Sequence, residues 1–193
     1  MVNKPEQRIL DFQKMGFGLF MHWGIYAAKE IDCWEQFFQK TSSKDYEKNI
    51  ESFTGEDFNA KEIVAMAKRA GMKYIVLTTR HHEGFSLYDT KGLCEFDSVH
   101  SPAKRDIVRE FVDACHEQGI SPFLYHTLVD WHQESYENNF NEYLVYLRKS
   151  IEILCTNYGE IGGFGLMEYG QNQMQIGRKK NYIKLFVNIN RMQ

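Results

Sequence analysis

Three apolar runs of this chain end in side chains that can do chemistry. They are Phe17 to Gly24, closing on His22 and Trp23; Tyr74 to Thr79, followed by Arg80, His81, His82, Glu83 and Gly84; and Ser121 to Leu128, carrying Tyr125 and His126. A neutral imidazole offers one hydrogen-bond donor and one acceptor near neutral pH, and it is also a common metal ligand. Two chemistries use such a set. Metal binding needs several nitrogens or oxygens converging on one point, and no His-x-x-x-His on a helix guarantees that here. Carbohydrate binding sets ring nitrogens against hydroxyls and covers the C–H face of the sugar with aromatic rings. The neighbouring Trp23, Trp34 and Tyr125 favour a sugar.

Taken singly, each of these histidines reads as a hydrogen-bonded structural residue. Their weight comes from recurrence after three separate strands. Glu35, Glu83 and Asp130 are the carboxylates nearest the clusters, and a solvated or helix-capping role is the ordinary one for each. Glycoside hydrolysis needs two carboxyl groups flanking the bond, about 5–5.5 Å apart when configuration is retained. Which two, if any, of these three would serve is left open by the sequence.

The elements that must position these residues follow from periodicity. Residues 7–15 read as a short helix. Residues 26–57 read as a long irregular loop over the site, with aromatics at Trp34, Phe37, Phe38 and Tyr46. Phe58 to Ala70 has helical apolar spacing and is closed by Gly71. Tyr74–Thr79 is the second strand, residues 86–103 a loop, and residues 104–118 a helix closed by Gly119. Ser121–Leu128 is the third strand and residues 137–157 a long helix. This alternation predicts an α/β fold with a parallel sheet.

The chain has 193 residues, which suits one domain but falls short of the roughly 250 of a complete (β/α)8 barrel. A net charge of −3 gives no electrostatic case for nucleic acid or an anionic membrane. The cysteines, Cys33, Cys94, Cys115 and Cys155, are widely spaced without Cys-x-x-Cys, so neither structural zinc nor a disulfide framework is expected. No signal-peptide pattern and no membrane-length apolar run is present, and a cytoplasmic location with no cofactor is the expectation.

Three stretches together resemble the α-L-fucosidase family of glycoside hydrolases: Gly16–Tyr26, Ala67–Lys91 with its Arg-His-His-Glu-Gly-Phe element, and Ser101–His126. The likeness runs from about residue 7 to Phe164. It implies the N-terminal portion of a (β/α)8-like barrel, incomplete at this length. It also implies retaining hydrolysis of terminal α-L-fucosides, with a fucoside or fucosylated glycan as the ligand. His22, His81 and His82 would hold the fucose hydroxyls. The family carries a Glu-Trp pair in the first loop; here the order is Trp34-Glu35, and both are candidates. Tyr125 or His126 fills the pocket position after the third strand, and the sequence does not choose.

The pattern breaks after Phe164. The family's next strand reads like Gly-Gly-Phe-Trp-Phe-Asp-Gly, and its Asp is the nucleophile. Here Gly162-Gly163-Phe164 is followed by Gly165-Leu166-Met167-Glu168-Tyr169-Gly170. Encoded GGT TTG ATG GAA TAT GGT and given back one T, that stretch becomes Trp-Phe-Asp-Gly-Ile-Trp. Residues 1–164 are therefore expected to be partial catalytic barrel, and 165–193 a divergent, frameshifted tail without the catalytic carboxylates. Little turnover is the expectation, and self-association through the uncovered half-barrel. The rival readings are a non-catalytic fucose-binding module, a metal-dependent hydrolase using the His clusters, and a gene product without function.

Overall fold

The structure, a computed structural model, describes residues 6–167. Its centre is a four-stranded, all-parallel sheet of β1 (Gly18–Met21), β2 (Tyr74–Arg80), β3 (Ser121–Thr127) and β4 (Gly163–Met167), in that order. Chain order equals spatial order, so each connection must carry the chain back to the start of the next strand. Helices do this. Before β1 stands α1 (Gln7–Met15); the connections hold α2 (Glu35–Phe38), α3 (Ser43–Glu47), α4 (Ala60–Arg69), α5 (Ile107–Gln118), α6 (Ser135–Asn138) and α7 (Phe140–Thr156).

The long helices start where a side chain can take an orphan N–H. Asn59 accepts from the Glu62 amide, Asp106 from the Arg109 amide and Asn139 from the Glu142 amide. Gly119 closes α5 at φ +70°, a left-handed position glycine takes without penalty. The α/β fold and the parallel sheet inferred from the sequence are both present. One expected helix, residues 137–157, divides at Asn139, whose extended backbone (φ −149°) ends α6 and whose side chain caps α7.

One face of the sheet is covered. Ile75, Leu77 and Leu124 pack with Val64 of α4 and with Val108, Phe111 and Val112 of α5. Leu147 and Ile151 of α7 lead a second cluster with Tyr143 and Val129. The alternate residues face the other way, because successive side chains of a strand point to opposite faces. Phe20, Tyr74, Val76, Phe123 and Tyr125 line a cavity of about 580 Å³ on that side. Phe12 of α1 lies over its lower end, 5.3 Å from Tyr74 and 5.4 Å from Phe123 between ring centroids. Phe20, farther up, stays 49% exposed.

Residues 26–57 are more ordered than the loop expected. They hold α2, α3 and two 3-10 turns, Ala27–Lys29 and Lys48–Ser52. Ser42 caps α3, and Tyr46 and Phe53 anchor the segment in the core. These helices are too short for apolar periodicity to reveal. The fourth strand runs to Met167, so the boundary drawn after Phe164 falls inside it. Leu124 pairs with Phe164 and Tyr125 with Gly165.

Candidate active site

The functional side chains collect where the strands end, and a one-residue irregularity puts them there. Between β2 and β3, Thr78 pairs with Tyr125 but Arg80 pairs with His126. The extra residue makes a bulge, which reverses the alternation beyond it. The hydroxyl of Thr79 donates to the Tyr125 carbonyl at 2.8 Å and lies 2.9 Å from the His126 ring. Arg80 then points to the same covered side, reaching Ser150 of α7. His81 therefore returns to the open side and stacks at 6.3 Å on Tyr125.

Around it the rings gather. His22 lies 5.4 Å from His81 and 5.3 Å from Tyr125; His81 and His82 are 4.3 Å apart. Trp34 stands 5.0 Å from His82 and 6.2 Å from His81. Five sequence candidates, His22, Trp34, His81, His82 and Tyr125, thus share one rim. The hydroxyl of Tyr125 is buried and makes no hydrogen bond among the described residues, which leaves it available to a polar ligand.

His126 is the correction. It occupies the covered face, fully buried, 6.1 Å from Tyr88. Adjacent residues of a strand diverge, so Tyr125 and His126 could not both face the rim. Trp23 also leaves the set, packing on Phe53 and Phe58 at 5.5 and 4.7 Å. Glu35 starts α2, and its carboxylate makes no hydrogen bond to the histidines among the described residues. Trp131, 5.4 Å from His82, and Tyr26, 5.8 Å from His81, were not anticipated.

The protonation of the rim can be derived. Thr127 donates its hydroxyl hydrogen to the Val129 carbonyl at 2.7 Å. The ring of His82, whose Nδ1 is 2.6 Å from that oxygen, must then be the donor. Its Nε2 keeps a lone pair. Burial and the neighbouring His81 push His82 down to about 3, so this tautomer is uncharged at neutral pH. Partial burial and His81 also hold His22 below its ordinary value. Glu83 is buried with one carboxylate oxygen 3.3 Å from His81 Nδ1; burial pushes its pKa up, favouring the protonated carboxyl, and His81 opposes that.

A second layer holds the two loops in register. Arg80 and Asp130 form an ion pair at 3.4 Å with neither side chain more than 1% exposed. The guanidinium also donates to Ser86, Tyr88 and Ser150 at 2.9, 2.9 and 3.2 Å, and sits 4.9 Å over the Tyr146 ring. Asp130 accepts from the His132 and Gln133 amides, both at 3.0 Å. The Trp131 amide donates to the His82 carbonyl at 2.8 Å. Gly84, at φ +89°, passes so close that a Cβ would lie 2.5 Å from Asp130 Oδ1.

Chemically this is a patch of imidazoles walled by aromatic rings, with His22 and His82 held toward the neutral form. It suits an uncharged polyhydroxylated ligand with an apolar face. Among the described residues no three His, Cys, Asp or Glu side chains are arranged to hold a metal ion.

The family model for alpha-L-fucosidase matches residues 3–175. The chain belongs to the α-L-fucosidase family. Human plasma alpha-L-fucosidase is 31% identical over 137 residues, covering 62% of this chain and 29% of that protein. The alpha-L-fucosidase of Dictyostelium discoideum is 29% identical over 147 residues, covering 65% of this chain and 32% of that protein. Among solved structures, alpha-L-fucosidase isoenzyme 1 from Paenibacillus thiaminolyticus superposes with a TM-score of 0.87 at 33% identity, covering 97% of this chain and 48% of that one. The family 29 enzyme of Bacteroides thetaiotaomicron gives 0.79 at 26%, covering 86% and 41%. This member of the fucosidase family spans less than a third of the human plasma enzyme and about half the length of the Paenibacillus one. Its sheet is the corresponding portion of the (β/α)8 catalytic barrel.

Proposed function

We infer that this chain recognises terminal α-L-fucosides at the rim formed by His22, His81, His82, Tyr125 and Trp34. One observation carries the reading. Imidazoles from two strand ends meet a tyrosine ring from a third, and His82 is locked as an uncharged acceptor. A sugar hydroxyl then has an acceptor at His82 Nε2 and a polar partner at Tyr125. Trp34 offers a face to its C–H side.

Hydrolysis is a separate matter. Retention needs two carboxyl groups flanking the anomeric carbon. Asp130 is committed to Arg80 and two amides, and Glu83 is buried beside His81, 3.3 Å away. The described residues thus supply recognition, and turnover depends on carboxylates outside them. A one-base slip after Phe164 accounts for the departure from the family's nucleophile strand. The gene's nucleotides test it, since codons that forbid Trp-Phe-Asp-Gly in the restored frame contradict it.

The function is tested by titrating the 193-residue chain with methyl α-L-fucoside in a calorimeter, alongside release of p-nitrophenol from the aryl fucoside. Saturable binding with release at the uncatalysed rate supports fucose recognition without turnover. Absence of binding contradicts it, and so does loss of binding on metal chelation, which the metal-hydrolase reading requires.

A further inference from the structure

His81 and Glu83 face each other in a turn that buries both. The Gly84 amide donates to the His81 carbonyl at 3.1 Å and closes the turn. One Glu83 carboxylate oxygen lies 3.3 Å from His81 Nδ1, with the side chains 1% and 4% exposed. Neither atom has another hydrogen-bond partner among the described residues. The titratable groups that share the field of Glu83 are His81, Tyr26 and Cys33 of the first loop, Tyr46 of α3, Tyr125 of β3 and Asp130 after β3. Of these only His81 can carry a positive charge, and Asp130 already has Arg80.

Two proton counts are open to the pair. In the lower count an ionised Glu83 accepts from Nδ1–H of a neutral imidazole, and Nε2 keeps a lone pair. That state buries a net negative charge, which is costly where no cation pairs with it. With one more proton the pair is neutral overall. The added proton sits on the carboxyl, which then donates to Nδ1, or on the imidazole, which then donates to the carboxylate. Both arrangements leave a hydrogen on Nε2. Burial, which raises the Glu83 pKa, favours the same count.

We propose that Glu83 is a positioning residue that fixes His81 as a hydrogen-bond donor at Nε2, beside the acceptor Nε2 of His82. Its use in binding rests on the fucoside reading above. The two imidazoles are 4.3 Å apart between ring centroids, so the rim presents one donor and one acceptor side by side. Neighbouring sugar hydroxyls that bond to each other keep one free hydrogen and spare lone pairs. Such a pair donates to His82 and accepts from His81. Two bare nitrogens would leave one of them facing only lone pairs.

The experiment uses the 193-residue chain. Long-range proton–nitrogen spectra at neutral pH should show His81 protonated at Nε2 and His82 protonated at Nδ1 alone. A bare Nε2 on His81 overturns the proposal, and no variant is needed to see it. Two variants then test the partner. E83M removes it, whereas the amide of E83Q can still donate to Nδ1. By calorimetry E83M should bind methyl α-L-fucoside on the order of tenfold more weakly, and E83Q within about twofold of the unaltered chain. The spectra should show the Nε2–H of His81 kept in E83Q and partly lost in E83M, with His82 unchanged in both. Unaltered affinity in E83M overturns the proposal. Equal weakening in both variants, with the His81 tautomer unmoved, assigns Glu83 a structural role and overturns it too. Should E83M not fold, the tautomer of His81 in the unaltered chain and in E83Q decides. Failure of methyl fucoside to bind the unaltered chain sinks the fucoside reading while the spectra still judge Glu83; saturable binding with a bare His81 Nε2 does the reverse.

Discussion

His82 Nδ1 lies 2.6 Å from Thr127 Oγ1, and that contact sets which nitrogen of His82 faces a ligand. Thr127 spends its hydrogen on Val129, so the imidazole must donate and Nε2 must accept. Replacing Thr127 by valine keeps the shape and removes the constraint. The expected result is on the order of tenfold weaker methyl fucoside binding, with a stability loss of about 1–3 kcal/mol for the unsatisfied ring N–H. Calorimetric titration and urea unfolding check the two parts.

The Arg80–Asp130 pair makes a different prediction. Removing one member strands a buried charge, at a cost of about 3–5 kcal/mol. R80M should therefore lower stability by that amount, and D130N by less, because its amide still pairs with neighbouring groups. The double variant R80M/D130N should lose less than the two single losses added together, a coupling that urea unfolding of all four proteins measures directly.

Acid should destabilise the protein through His82. Its folded value is depressed to about 3 from an ordinary 6.5. Between those values the unfolded chain binds a proton that the folded chain does not. Stability is therefore complete above about pH 6.5 and falls as pH drops toward 3. His126, fully buried and held low by desolvation and by Arg80, acts with the same sign. The variant H82Q should show a shallower fall in urea-unfolding free energy from pH 6.5 to 4 than the unaltered chain. Equal slopes would contradict the assignment.

Gly84 has no room for a side chain. At φ +89° an alanine is strained, and its Cβ would meet Asp130 Oδ1 and the His132 Cβ at 2.5 and 2.6 Å. G84A should cost on the order of 1–3 kcal/mol and weaken fucoside binding, because the displaced loop carries His81 and His82.

The open face of the sheet should cause association. Phe20 is 49% exposed there, and β1 and β4 are the edges of the sheet among the described residues. Sedimentation should show a concentration-dependent oligomer that F20E weakens. A monomer at all concentrations would contradict this.

Much of this was legible in the residues. The alternation of strand-length and helix-length apolar runs marked all three of the first strands and the helices between them, because burial on one face imposes a period. The rim was legible through the repetition of histidines after strands. What the sequence hid was parity. Nothing in Thr78-Thr79-Arg80 announces a bulge, yet the bulge decides that His81 faces the rim and Arg80 the helices. The choice between Tyr125 and His126 hung on the same parity. Trp131 was hidden for another reason: it belongs to a loop, where no period tells which way a side chain turns.

The most direct test of the account is the ring-nitrogen NMR of the histidines in the 193-residue chain during titration with methyl α-L-fucoside. The account predicts saturable shifts at the Nε2 resonances of His22, His81 and His82, with His82 keeping its Nδ1–H tautomer throughout and His126 unmoved. No shift at the three rim histidines, or an equal shift at buried His126, would contradict it.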